Sequence, residues 1–187
     1  MSKLSFLDFG FFIAETAESP KHVAGLLICK RPAKSSAAFA KNLYREYLTH
    51  TDLKAPFDRV VEFSKTSMPN WRTAGSVDLS QHIHFHRLPR GGNDRQALYA
   101  FVAKLHEPVL DRSRPLWEMH VIDGLGDGRF ALYQKIHHAY ADGVTLSRWI
   151  AECLASDPDD LEVRPLWTQK HGGHAVKRRK AAREVAQ

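Results

Sequence analysis

Two strand-length apolar runs bracket a turn in LWEMHVIDGLGDGRFALYQKI, and this stretch restricts the fold more than any other. Residues 116–122 and 130–136 hold the branched and aromatic side chains that suit strands, and DGLGDGR between them supplies turn residues. The pattern is that of a hairpin. Upstream, HVAGLLICK (22–30) reads as a buried strand ended by Arg31-Pro32. Ser35 is expected to cap a helix through about His50, with Phe39, Leu43 and Tyr47 or Leu48 on one face. FDRVVEFS is a second strand candidate, and 71–92 reads as mostly irregular with a strand near its end. Asn93 or Asp94 caps a helix with Leu98, Phe101, Val102 and Leu105 on its apolar face, ending before Pro108. A last helix begins after Asp142, buries Leu146, Trp149, Ile150, Cys153 and Leu154, and stops at Asp157-Pro158. This order of strands and helices predicts an α/β sandwich, a mixed sheet flanked by helices, and 187 residues suit one domain.

Composition narrows the class of protein. With 43% hydrophobic and 26% charged residues the chain reads as globular, and it contains no apolar run long enough to span a bilayer. The first residues, MSKLSFLDFGFFIAETAES, include Asp8 and Glu15 and lack a small-residue cleavage site, so they read as mature protein. Cys29 and Cys153 are too few for a disulfide scaffold, and a reducing cytoplasm is expected. The net charge of +6 suggests nucleic acid until it is located. Residues 168–187 contain Lys170, Lys177, Arg178, Arg179, Lys180 and Arg183 against Glu184 alone, so nearly all of the excess belongs to this tail. The domain, 1–167, is close to neutral; the tail reads as a basic polar linker, able to touch an anionic surface, and no nucleic-acid partner is expected.

The hairpin runs directly into KIHHAYADGV (135–144). Side chains alternate along a strand, so His138 is expected on the apolar face with Phe130, Leu132 and Ile136, and His137 on the other with Tyr133 and Lys135. Two rings pointing apart are poor ligands for one metal. Asp142 has a plain reading as the N-cap of the following helix, and Gly143 permits a close backbone approach or an unusual dihedral.

HHAYADG matches the HHxxxDG signature of CoA-dependent acyltransferases of the chloramphenicol-acetyltransferase-like superfamily. LSFLDFGFFIAETAESPKHVAGLLI resembles the N-terminus of bacterial wax ester synthase/diacylglycerol acyltransferases, and RPLWEMHVIDGL resembles their PLW segment. The resemblance runs from about Leu4 to Trp167. It implies a chloramphenicol-acetyltransferase-like fold built of two related halves with the reaction tunnel between them, this chain being the N-terminal half. It also implies acyl-CoA as co-substrate with no cofactor, a long-chain alcohol or diacylglycerol as acceptor, and the C-terminal half as partner. A cytoplasmic enzyme working at an inner-membrane or lipid-inclusion surface follows. By the same resemblance His138 is the general base, His137 supports the loop, and Asp142 orients it. Gly143 and Pro115-Leu116-Trp117 border the substrate, although Pro115-Leu116-Trp117 also reads as a strand start with a core tryptophan. An imidazole, with an ordinary pKa of about 6.5, suits proton removal from a hydroxyl at neutral pH. Oxyanion donors are not evident in the sequence.

Two other constellations compete. His82, His84 and His86 alternate along a predicted strand and so share a face, which is the geometry of a metal trap, but no carboxylate or cysteine stands at matching spacing. Cys153 and Cys29 both read as core, with no basic neighbour to make either a nucleophile. A non-catalytic lipid- or membrane-binding module acting through the basic tail is the remaining alternative.

Overall fold

The computed structural model describes residues 2–89, 94–157 and 160–171. Among these, seven strands are found: β1 (Ser2–Lys3), β2 (His22–Lys30), β3 (Arg59–Glu62), β4 (Asn70–Thr73), β5 (Ile83–Arg87), β6 (Trp117–Asp123) and β7 (Arg129–His137). The helices are α1 (Phe6–Ala14), α2 (Phe39–Tyr47), α3 (Asp94–His106) and α4 (Gly143–Cys153). Strands β2, β7, β6 and β5 form the main sheet in that order, antiparallel except for the parallel β5–β6 pair. A smaller sheet has the order β1-β4-β3.

The hairpin forms the centre of the main sheet. β7 is covered on both sides, so its apolar residues sort by alternation: Phe130, Leu132 and Ile136 join the core that includes α2 and α4, while Ala131 and Tyr133 pack with Leu98 of α3. The turn depends on Gly124, whose φ is +96° and whose missing Cβ would strike the carbonyl of Leu88. Gly25 on β2 has a different reason, since a Cβ there would lie 2.6 Å from Ile150 Cδ1. That glycine lets α4 lie close against the sheet.

Several expected boundaries move. The helix expected from Ser35 starts at Phe39, because Ser35 and Ser36 are spent on turns with Pro32 and Phe39; its inward residues Phe39, Leu43 and Tyr47 are as expected. FDRVVEFS contributes only Arg59–Glu62, and the region read as irregular contains β4, which pairs with both β3 and β1. The last helix ends at Cys153, and Leu154, expected to be buried, is 55% exposed. The chain turns extended there, and residues 163–167 return over the core instead. The expected cap at Asn93, the Pro158 stop and the basic residues from Lys177 to Arg183 lie outside the described residues.

Packing continues past Trp167. Its indole donates to His50 O at 2.9 Å and stacks on Trp117 with centroids 5.2 Å apart, and His171 stacks on Trp149 at 4.2 Å. The first four residues of the tail drawn from 168 thus lie on the domain surface.

Candidate active site

The ladder of β2 and β7 ends at the pair His22–His137, and His138 N–H makes a last bond to Lys21 O at 2.8 Å. Beyond it the backbone turns, with Tyr140 N–H bonded to His137 O at 2.9 Å. The alternation expected to send the two rings apart therefore stops one residue too early. Both instead lie against α1. His138 stacks on Phe11 and His137 on Phe12, each with centroids 4.3 Å apart and planes 17° from parallel.

The two rings differ in access. His137 is fully buried. Burial drives its pKa down to about 4, although the nearby Glu15 carboxylate opposes the shift. Its Nδ1 accepts Ala139 N–H at 3.1 Å, which leaves the proton on Nε2, 3.5 Å from Glu15 Oε1. His138 is half-buried, and of the two it is the imidazole that keeps some surface open to solvent. Asp142 Oδ1 accepts Thr145 N–H at 2.7 Å and caps α4. Gly143 is the first residue of that helix; it has no positive φ, and the space where a Cβ would stand is open. Of the two uses expected for this glycine, the unusual dihedral is absent and room for a close approach is present.

Pro115, Leu116 and Trp117 are all buried beneath the loop. Leu116 brackets it by accepting His137 N–H at 3.0 Å and donating its own N–H to the Tyr140 hydroxyl at 2.9 Å. The same hydroxyl donates to Arg59 O, and burial raises its pKa strongly. Trp117 Nε1 donates to Phe57 O at 3.0 Å. These three residues form the floor of the loop. Beside Tyr140, a cavity of about 280 Å³ opens between Trp71, Ala139, Trp149 and His171.

Sequence reasoning missed Phe11, Phe12, Glu15 and Arg112. One signal was there to find: Ser5-x-x-Asp8 is a capping pattern, and Ser5 Oγ accepts Asp8 N–H at 3.0 Å to start α1. No local signal marks the pairing of Glu15 with Arg112.

The histidine series does not converge as a metal trap. His82 precedes β5, and its Nδ1 is bonded to Trp117 O at 2.8 Å. Only His84 and His86 share the strand face, alongside His120 of β6. Among the described residues no three His, Cys, Asp or Glu side chains are grouped to hold a metal ion. Burial raises the Cys29 thiol pKa and pushes that of Cys153 to about 11, which disfavours the thiolate in both. Among the described residues no helix is long and apolar enough to cross a membrane.

Comparison with known proteins places the chain. The family described as the wax ester synthase/diacylglycerol acyltransferase catalytic domain matches residues 4–187. A putative diacylglycerol O-acyltransferase of Mycobacterium tuberculosis (strain CDC 1551 / Oshkosh) is 36% identical over 179 residues, which cover 95% of this chain and 40% of that protein. A probable diacylglycerol O-acyltransferase of the same strain is 35% identical over 162 residues, covering 86% and 36%. The chain thus spans about 40% of the length of the curated relatives it matches. The structure is similar to that of the wax ester synthase/diacylglycerol acyltransferase from Marinobacter aquaeolei VT8, with a TM-score of 0.84 and 30% identity over 99% of this chain and 45% of that one. It shares its fold with the starter condensation domain of the rhizomide synthetase, at a TM-score of 0.58 and 13% identity over 81% of this chain and 36% of that one.

Proposed function

The chain belongs to the wax ester synthase/diacylglycerol acyltransferase family, and on that premise we propose that its signature loop supplies the base for acyl transfer from an acyl-CoA thioester to the hydroxyl of a long-chain alcohol or diacylglycerol. One observation carries the reading: His138 is the accessible imidazole of a loop whose remaining side chains are committed to holding its shape. The imidazole takes the hydroxyl proton as the oxygen attacks the thioester carbon. The tetrahedral oxyanion then collapses, the carbon–sulfur bond breaks, and the imidazolium returns its proton to the CoA thiolate. The products are the ester and free CoA, with no covalent enzyme intermediate and no cofactor. Asp142 and His137 orient the base. Gly143 leaves space for the substrate beside it, and Pro115, Leu116 and Trp117 set the floor of the substrate region. The chain spans about 40% of the length of its curated relatives, so the remaining, C-terminal half of such an enzyme is its first partner. The tail 168–187 serves as the connection to that segment and as a contact with an anionic membrane or lipid-inclusion surface on the cytoplasmic side.

The test is thiol release by the protein carrying this chain at its natural length, given a long-chain acyl-CoA with and without a fatty alcohol or diacylglycerol. Release that depends on the acceptor and yields the ester is expected. Thiol release at the same rate without any acceptor would sink the reading. For the tail, removal of 168–187 is expected to weaken sedimentation with anionic vesicles.

A further inference from the structure

The acyl-transfer chemistry leaves one buried carboxylate beside the signature loop without a role. Glu15 follows α1, and its side chain is 3% exposed. Its Oε1 accepts Lys21 N–H at 3.1 Å and faces His137 Nε2 at 3.5 Å. Its Oε2 accepts from Arg112 Nε and Nη2 at 3.2 and 3.0 Å. Arg112 Nη2 also donates to Phe12 O at 2.8 Å, and the guanidinium lies 5.3 Å from the centre of the Phe12 ring that stacks on His137.

A buried carboxylate is costly unless it is paired and hydrogen-bonded, and Arg112 alone would satisfy that need. Here the two oxygens are divided: Oε2 takes the guanidinium, while Oε1 takes the Lys21 N–H and faces His137 Nε2 at 3.5 Å, a buried nitrogen with no hydrogen bond among the described residues. The far nitrogen of that imidazole holds the Ala139 amide, and Ala139 is the residue next to His138. The groups around His137 thus form a chain from a fixed cation to the base: Arg112, Glu15, the His137 ring, the Ala139 amide and His138. The other charged or titratable groups facing the ring are His22 and His138 itself.

We infer that Glu15, clamped by Arg112, is a positioning residue for His138: it fixes the His137 ring and, through the Ala139 amide, the turn that carries the base. The inference rests on the reading of His138 as the base of acyl transfer. Glu15→Ala in the natural-length protein is expected to lower kcat about 100-fold, the effect of misplacing a reacting group by about 1 Å. KM for both substrates is expected to change by no more than about 2-fold. Glu15→Gln, which keeps an acceptor oxygen, restores most of the rate. Arg112→Ala combined with Glu15→Ala costs no more than the worse single change, because both act through one contact.

A second readout does not depend on turnover. Hydrogen exchange at the Ala139 amide is slow in the unaltered protein, accelerated in Glu15→Ala and intermediate in Glu15→Gln. Unchanged Ala139 exchange overturns the inference, and so does an unchanged kcat in an active protein. If the unaltered protein shows no acceptor-dependent thiol release, the acyl-transfer reading fails while the exchange arm still decides whether Glu15 holds the turn. Should Glu15→Ala fail to fold, Glu15→Gln and Arg112→Lys carry the same comparison at smaller amplitude.

Discussion

His137 and His138 stand where β7 runs out, whereas His84, His86 and His120 lie within β5 and β6, with His86 against Phe101 of α3. Both groups are rich in imidazole and partly buried, and both are strand-borne. At the strand end one ring serves its own loop and the other is left accessible. In the second group the rings face one another: His86 Nε2 and His120 Nδ1 are 3.0 Å apart, His84 stacks on His120, and His120 Nε2 is 3.4 Å from Glu118. Glu118 in turn faces Lys135 Nζ at 3.3 Å, and that ammonium donates to Leu105 O at 2.9 Å and Pro108 O at 3.1 Å. The lysine therefore satisfies one carbonyl in the last turn of α3 and one just beyond it, as well as pairing a carboxylate. A polar network with its groups paired to each other builds a fold, whereas a loop that leaves one imidazole open to solvent can do chemistry on another molecule.

The sharpest way to break this comparison is to remove one imidazole from each region. His138→Ala is expected to lower acceptor-dependent thiol release by about 10²- to 10⁴-fold without unfolding the chain, and His137→Ala by less. His86→Ala is expected to leave the rate nearly unchanged. Equal small losses from His138→Ala and His137→Ala in a rate assay would remove His138 from the role of base.

The next effect belongs to the structural region. Lys135→Met leaves Glu118 without its cation and the Leu105 and Pro108 carbonyls without a donor, and should cost about 3 kcal/mol in chemical denaturation. Adding Glu118→Leu should recover part of that loss, because the uncompensated charge goes with it. A double variant less stable than Lys135→Met would show that the pair is not the source of the cost.

Acid reaches both regions. Burial, with a smaller effect of neighbouring charges, holds His22, His86 and His137 at about 4, below the 6.5 of an exposed histidine. The unfolded chain then takes up protons before the folded one. Stability is complete above about pH 6.5 and falls as pH drops toward 4, by about 1.4 kcal/mol per pH unit for each proton involved. Glu118, which burial alone would raise but its His120 and Lys135 partners pull down to about 2, keeps its contribution through that window. Denaturant midpoints at pH 7.5 and pH 5 measure the slope, and His86→Gln should flatten it. A slope unchanged in His86→Gln would remove that histidine from the acid response.

The smallest expected change is at the cap of α4. Asp142→Ala should cost about 1 kcal/mol, and Asp142→Asn less, since the amide oxygen still accepts the Thr145 N–H. A full loss of activity in Asp142→Ala with stability unchanged would give that aspartate a chemical role instead.

The sequence by itself determined the hairpin, the buried strand 22–30, the inward faces of α2 and α3, and the start of α4 at Asp142. These are set by local rules: period-2 and period-3.6 patterns, glycines at turns, and a side chain that caps its own helix. Tertiary structure decided what those rules do not reach. Ser5 and Asp8 could announce α1, but only packing sets Phe11 and Phe12 against the two histidines. Nothing near Arg112 in the chain announces Glu15, 97 residues away, because burial of a carboxylate is compensated by whichever cation the fold brings to it. His82 shows the same limit from the other side: the alternating spacing was real, but the chain enters β5 one residue later and gives that ring to Trp117. A spacing fixes faces only where the strand extends, and where a strand begins and ends is settled by the ladder it finds.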